Sequence, residues 1–234
     1  MSVREKLVMA NRILANEGIL RGFGHVSVRD PDSDHMLISQ SRSPAFVTES
    51  DILEVTLDGE VIDDDRTTYI ENVIHRAIYR ARPDVHAVVH HHAAAIMPFA
   101  IADVELRPVF HQGMLFYDGV PTFDDYDREG GWLIVTEDEA ARLAENLGSH
   151  RAQLLRGHGA NTVGASLEEV ITTTYNFVLN AQHQASAMAI GKIAFDPQDD
   201  EMARVTTDEI ELSSTATERL WEYLVGQIPE SSLP

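Results

Sequence analysis

The chain has 234 residues, a formal net charge of −20, 44% hydrophobic side chains and no cysteine. So acidic a surface repels nucleic acid and anionic membranes. The lack of cysteine excludes disulfides and thiolate nucleophiles and leaves imidazole and carboxylate as the only strong metal ligands. No basic segment leading into an apolar one opens the chain, and no apolar run is long enough to cross a bilayer, so the cytoplasm is the expected compartment. A local metal or arginine can still attract an anionic substrate against the global field.

Taken in order, Ser2-Val3-Arg4-Glu5 is a capping box, followed at helical spacing by Leu7, Val8, Ala10, Ile13 and Leu14 and closed by Gly18. The alternation in Gly24 to Asp30 predicts a half-buried strand, Pro31 to Asp34 a turn, and His35 to Ser39 its hairpin partner. Ser41 to Pro44 reads as a loop. Ile52 to Thr56 and Val61-Ile62, joined by Asp58-Gly59, predict a second hairpin. An acidic loop from Asp63 to Arg66 precedes a helix expected from Tyr69 to Ala81, with Glu71 and His75 on one face. Short strands are expected at His86 to His92, Leu106 to Phe110, Gly119 to Phe123, Gln153 to Arg156 and Asn161 to Val163. Capping boxes at Thr136 and Ser166 open two further helices, Phe195 to Glu209 reads as polar loop, and Thr217 to Val225 as a last helix. With no repeat or linker, the expectation is one domain spanning 1–234, an α/β fold with a mixed, mostly antiparallel sheet between helices.

Chemistry concentrates at Val88-Val89-His90-His91-His92. On a strand, His90 and His92 share a face and His91 points away, which begins a divalent metal site at the end of a buried strand. The same pair can also be buried histidines satisfied by backbone groups. A third ligand must come from elsewhere, and His158 in Arg156-Gly157-His158-Gly159 is the candidate, although a His-Gly pair is often only a turn. Glu71 and His75 are either a surface pair or an acid–base group and its relay beside a metal. Arg42, in Ser-Arg-Ser-Pro, is either solvated or a two-pronged carboxylate clamp. His86, His111 and His183 are ligands by type that no spacing selects.

Four segments together, Gly24-His25-Val26-Ser27-Val28-Arg29, Glu71-x-x-x-His75-x-x-Ile78-Tyr79, Val89-His90-His91-His92 and His158-Gly159, resemble the class II aldolase/adducin-head family. The resemblance implies a three-layer α/β/α fold, a metal on His90, His92 and His158, Glu71 as acid/base, and a homotetramer with sites near subunit boundaries. Where the family's sugar-phosphate aldolases and epimerases carry Asn, Thr-Gly and Ser-Ser, this chain has His25, Ser41-Arg42 and Tyr69-Ile70. His25, Ser41, Arg42 and Tyr69 are therefore expected to bind substrate in a pocket for a flat, carboxylate-bearing ring. That pattern is most similar to the family's decarboxylases of aromatic acids, with a hydroxypyridine dicarboxylate of vitamin B6 degradation as the expected substrate and an enolate as the intermediate. The metal is expected to be Mn(2+), with Zn(2+) as the alternative. The competing readings are a sugar-phosphate aldolase or epimerase, a decarboxylase of another hydroxylated aromatic acid such as a dihydroxyphthalate, and a non-catalytic adducin-like module.

Overall fold

The computed structural model describes residues 1–195, 197 and 199–230. Seven strands form one sheet: β1 (His25–Arg29), β2 (Met36–Ser39), β3 (Ile52–Val55), β4 (Ala87–His91), β5 (Thr122–Phe123), β6 (Ala152–Leu155) and β7 (Gly159–Gly164). Their order is β3-β2-β1-β4-β7-β6-β5, antiparallel throughout except for the parallel pair β5–β6. Among the described residues the longer helices are α1 (Val3–Asn16), α2 (Asn72–Ala81), α4 (Glu137–Leu147), α5 (Leu167–Ile190) and α7 (Ser214–Gly226), with short α3 (Met97–Ile101) and α6 (Asp200–Arg204). None is long and apolar enough to cross a membrane.

Strand alternation divides the core into two layers. Val26, Val28, Ala87, Val89, Leu154 and Ala160 face α1, α5 and α7. Met36, Ile38, Leu53, Val88, Leu155 and Val163 face α2 and α4. The expected α/β/α fold with a mostly antiparallel central sheet is the fold observed. The Ser2 capping box closes on both sides, whereas at Thr136 and Ser166 only the hydroxyl half forms. There Glu139 turns to the amides of Asp127 and Val135, and Glu169 turns to Arg151.

Several expected elements differ. Leu106 to Phe110 is not a strand, because side chains of α5 satisfy its backbone. Asn180 accepts from the Val109 amide and donates to the Arg107 carbonyl, and Gln184 does the same for the Arg107 amide and the Glu105 carbonyl. The strand expected at Gly119 to Phe123 shrinks to two residues, and the Val61 arm of the second hairpin to one bridge with Val55. Much of the expected loop from Phe195 to Glu209 is helical: Asp199 caps α6, which runs into a π-helical stretch, Val205–Glu211. Residues 196 and 198 of that expected loop lie outside the described residues. Helix α2 begins at Asn72, so Glu71 occupies its N-cap position and does not share a helix face with His75.

Two glycines allow one end of the sheet to close. Gly24 has φ +93°, and a Cβ there would lie 2.9 Å from the His90 carbonyl oxygen. A Cβ on Gly159 would run into the His91 carbonyl oxygen and lie 2.7 Å from His92 Cδ2. Backbone must then move, so Gly159→Ala is expected to destabilise the chain by about 1–3 kcal/mol, the usual cost of overpacking, in urea unfolding. An unchanged unfolding midpoint would mean that this approach is looser than described.

Candidate metal centre and adjoining cleft

The β1–β4 register sets His25 opposite His90, and the β4–β7 register sets Asn161 opposite His90. His90 points to the α2 and α4 side, while His91 points to the other layer and packs edge-on against Phe177, as the alternation predicts. The turn Arg156–Gly157, with Gly157 at φ +71°, brings His158 back over the end of β4. The ligand nitrogens of His90, His92 and His158 consequently lie within 4.8 Å of one another. His90 Nε2 and His92 Nε2 are 3.1 Å apart. Two imidazole nitrogens bound to one cation at about 2.0–2.1 Å would sit close to this spacing.

Hydrogen bonds settle which nitrogen of two rings carries the proton. Gln153 donates to the Leu143 carbonyl and to Asn146, so its own oxygen accepts from Asn161 Nδ2. The Asn161 oxygen then accepts from His90 Nδ1, at 2.8 Å. A carbonyl that can only accept anchors this chain, and its direction leaves His90 Nε2 with a free lone pair. His158 Nδ1 donates to the Trp132 carbonyl at 2.5 Å and likewise leaves Nε2 free. Donor set, spacing and tautomers all fit a divalent transition metal.

Glu71 stands beside this centre. Its Oε2 is 3.6 Å from His158 Nε2 and 3.9 Å from His90 Nε2, and its Oε1 accepts from the Ile134 amide. Burial raises its pKa, against the lowering influence of His158 and of the Ile134 N–H. A second cluster, His25, Glu71 and His90, lies within the same ligand spacing. His75 is not beside Glu71. It lies behind His25, fully buried, 2.6 Å from His25 Nδ1 and 2.6 Å from Ser27 Oγ.

A cleft of 520 Å³ opens in front of the centre, lined by Phe23, His25, Ser41, Arg42, Tyr69, Ile70, Glu71, His92 and Leu133. All four residues expected to bind substrate thus line one cavity with Glu71. Tyr69 donates to the Arg42 carbonyl and contacts Ser39 Oγ, so its hydroxyl pins the Arg42 loop and its ring, 4.5 Å from His25, forms a wall. Arg42 Nη1 is engaged by buried Asp51, which Thr48 and Gln40 also hold. The guanidinium is therefore anchored at one corner by a carboxylate of the chain itself. His183 packs against Phe110 and His111 faces Glu211, so neither joins the cluster. Sequence reasoning missed Asn161, Gln153 and the backbone of Trp132 and Ile134. Asn161 was reachable through its register opposite His90; backbone groups carry no sequence signal.

Comparisons with known proteins identify the family. The model of the Class II Aldolase and Adducin N-terminal domain matches residues 5–185. The chain belongs to that family. It is 33% identical over 199 residues to decarboxylase tropJ of Talaromyces stipitatus, covering 78% of this chain and 75% of that protein. It is 29% identical over 216 residues to the 3,4-dihydroxyphthalate decarboxylase of Arthrobacter keyseri, covering 86% and 85%. Among solved structures, an aldolase II superfamily protein from Pseudomonas syringae superposes with a TM-score of 0.82 at 26% identity, over 98% of this chain and 92% of that one.

The buried imidazoles make stability depend on pH. Burial, reinforced by neighbouring imidazoles, holds His25 and His90 well below the ordinary value of 6.5. Burial lowers His75 and His91 to about 3 and His92 to about 4. As pH falls below about 6.5 the unfolded chain takes up protons that the folded chain refuses, so stability must fall with pH in that window. For the metal-free protein, urea unfolding between pH 7.5 and 4.5 should show stability dropping by more than the roughly 1.4 kcal/mol per unit that one histidine gives. A flat profile would contradict the burial of this cluster.

Proposed function

We propose that the chain is a metal-dependent decarboxylase of a hydroxylated aromatic acid, a carbon–carbon lyase. The observation that carries this reading is a buried carboxyl group, Glu71, set between a three-imidazole centre and a cleft walled by Tyr69 and holding Arg42. Decarboxylases among its relatives support the reaction class, and the name of one, a dihydroxyphthalate decarboxylase, supports the substrate class. The specific substrate we propose is a 3-hydroxypyridine-4,5-dicarboxylate, with a dihydroxyphthalate as the second candidate.

A divalent metal held by His90, His92 and His158, with Mn(2+) favoured and Zn(2+) possible, would supply Lewis-acid stabilisation of negative charge on oxygen. The residues do the rest. Arg42 pairs through its outward edge with the carboxylate that is retained and sets the ring against Tyr69. Glu71, whose affinity for a proton burial raises, gives that proton to the ring carbon that bears the departing carboxylate. The ring becomes a β-keto acid. The carbon–carbon bond then breaks, its electron pair passes into the ring to restore an aromatic hydroxylate, and CO2 leaves. Solvent returns a proton to Glu71. The exposed Phe23, Ile70, Trp132 and Leu133 near the cleft support a homotetramer in which a second copy covers this rim. We also take residues 1–234 as one domain.

The full chain supplied with Mn(2+) should release CO2 from the hydroxypyridine dicarboxylate or from 3,4-dihydroxyphthalate and leave ketose phosphates uncleaved. Glu71→Gln should keep its metal and lose about two or more decades of turnover, the scale of acid–base catalysis. Cleavage of a ketose phosphate without CO2 release from either acid would replace this reading with the aldolase one, and near-normal turnover of Glu71→Gln would remove Glu71 from the chemistry.

A further inference from the structure

His25, His75, Ser27 and Tyr79 form a continuous hydrogen-bonded line from the cleft into the core. His25 Nδ1 is 2.6 Å from His75 Nε2, His75 Nδ1 is 2.6 Å from Ser27 Oγ, and Ser27 Oγ is 2.8 Å from the Tyr79 hydroxyl. All four side chains are at most 3% exposed, so water does not substitute for a missing partner. Strand β1 supplies His25 and Ser27 on one face, two residues apart. Helix α2 supplies His75 and Tyr79, four apart on one stripe.

Counting hydrogens fixes the direction of the line. The acceptor that the Tyr79 hydroxyl finds is Ser27 Oγ, while the backbone N–H of Val88 is a donor toward the same phenol oxygen. If Tyr79 donates to Ser27, Ser27 donates to His75 Nδ1, and His75 Nε2–H donates to His25 Nδ1, then every hydrogen inside the line has an acceptor and only the His25 Nε2–H at its cleft end stays free. If the line runs the other way, or breaks in the middle, a hydroxyl hydrogen of Tyr79 or Ser27 is buried without an acceptor. A stranded buried donor disfavours that state by roughly fivefold to more than a hundredfold. We infer that Tyr79, Ser27 and His75 are positioning residues that lock His25 as the neutral Nε2–H tautomer, so that His25 presents an N–H donor to an anionic oxygen of the ligand in the cleft.

Two consequences follow at this end of the sheet. With its Nδ1 accepting and its Nε2 protonated, His25 has no lone pair for a cation, although it lies within ligand spacing of Glu71 and His90. The choice between the two possible ligand clusters therefore falls to His90, His92 and His158. His90 and His25 stack 5.0 Å apart with opposite tautomers, because one line ends on a carbonyl and the other begins on a phenol. The class of ligand group is an oxygen that accepts: a carboxylate or a ring hydroxylate, which rests on the aromatic-acid reading above.

The test is a long-range 1H–15N spectrum of the histidine-labelled full chain at neutral pH, with zinc as a diamagnetic metal and the His25→Gln spectrum for assignment. His25 and His75 should both appear as Nε2–H tautomers. Either one as Nδ1–H, or an even mixture, overturns the inference. Ser27→Ala removes the donor to His75 and should turn both rings into mixtures, with KM for the aromatic acid raised about tenfold or more at unchanged metal content. Ser27→Thr, which keeps the hydroxyl, should restore both. Unchanged KM and kcat in Ser27→Ala would overturn the donor role. Should the wild-type chain release no CO2 from any aromatic acid, the decarboxylase reading fails, while the tautomer spectrum still decides the lock by itself.

Discussion

An imidazole can offer a lone pair to a cation only from the nitrogen that does not carry the proton, and burial leaves no water to soften that choice. At the closed end of this sheet the choice is made by fixed acceptors. The Leu143 carbonyl, acting through Gln153 and Asn161, holds the proton of His90 on Nδ1, and the Trp132 carbonyl does the same for His158. The features that matter for function are arranged to satisfy this constraint: the antiparallel β4–β7 register, the tight turn at Gly157, and the absence of a side chain at Gly159.

The short stretch from Trp132 to Ile134 links two parts of the proposed chemistry. Its carbonyl orients a proposed metal ligand, and two residues on its amide grips the proposed acid, Glu71. One loop thereby sets the spacing between them. A carboxyl group raised by burial, next to imidazoles lowered by burial, gives neighbouring groups opposite protonation preferences without charges of the kind that the rest of this acidic surface carries. The net charge of −20 is thus a property of the exterior, and the cleft, with Arg42 at its side, has a local balance of its own.

Much of this was legible in the sequence because it is written in periodicity. Alternation along β4 placed His90 and His92 together and His91 apart, and the Ser2 capping box and the apolar stripe of α1 were both found as read. The family motifs brought His158 and Glu71 to the same place, which spacing alone could not. What escaped was held by distant partners. Leu106 to Phe110 has the composition of a strand, but Asn180 and Gln184 some seventy residues away occupy its backbone. His75 was placed beside Glu71 by helix spacing, but the helix starts one residue after Glu71, and the ring finds His25 and Ser27 instead. Polar composition hid the helical turns between Asp200 and Glu211 because an aspartate cap is itself polar.

The central claim is that His90 at the end of β4, His92 just past it and His158 in the β6–β7 turn converge on one cation. Anomalous diffraction from crystals of the full chain grown with Mn(2+) tests it most directly. The account predicts a single strong peak within bonding distance of the Nε2 atoms of His90, His92 and His158, with His25 outside the coordination sphere. No peak there, or a cation coordinated by His25 in place of His158, would contradict it.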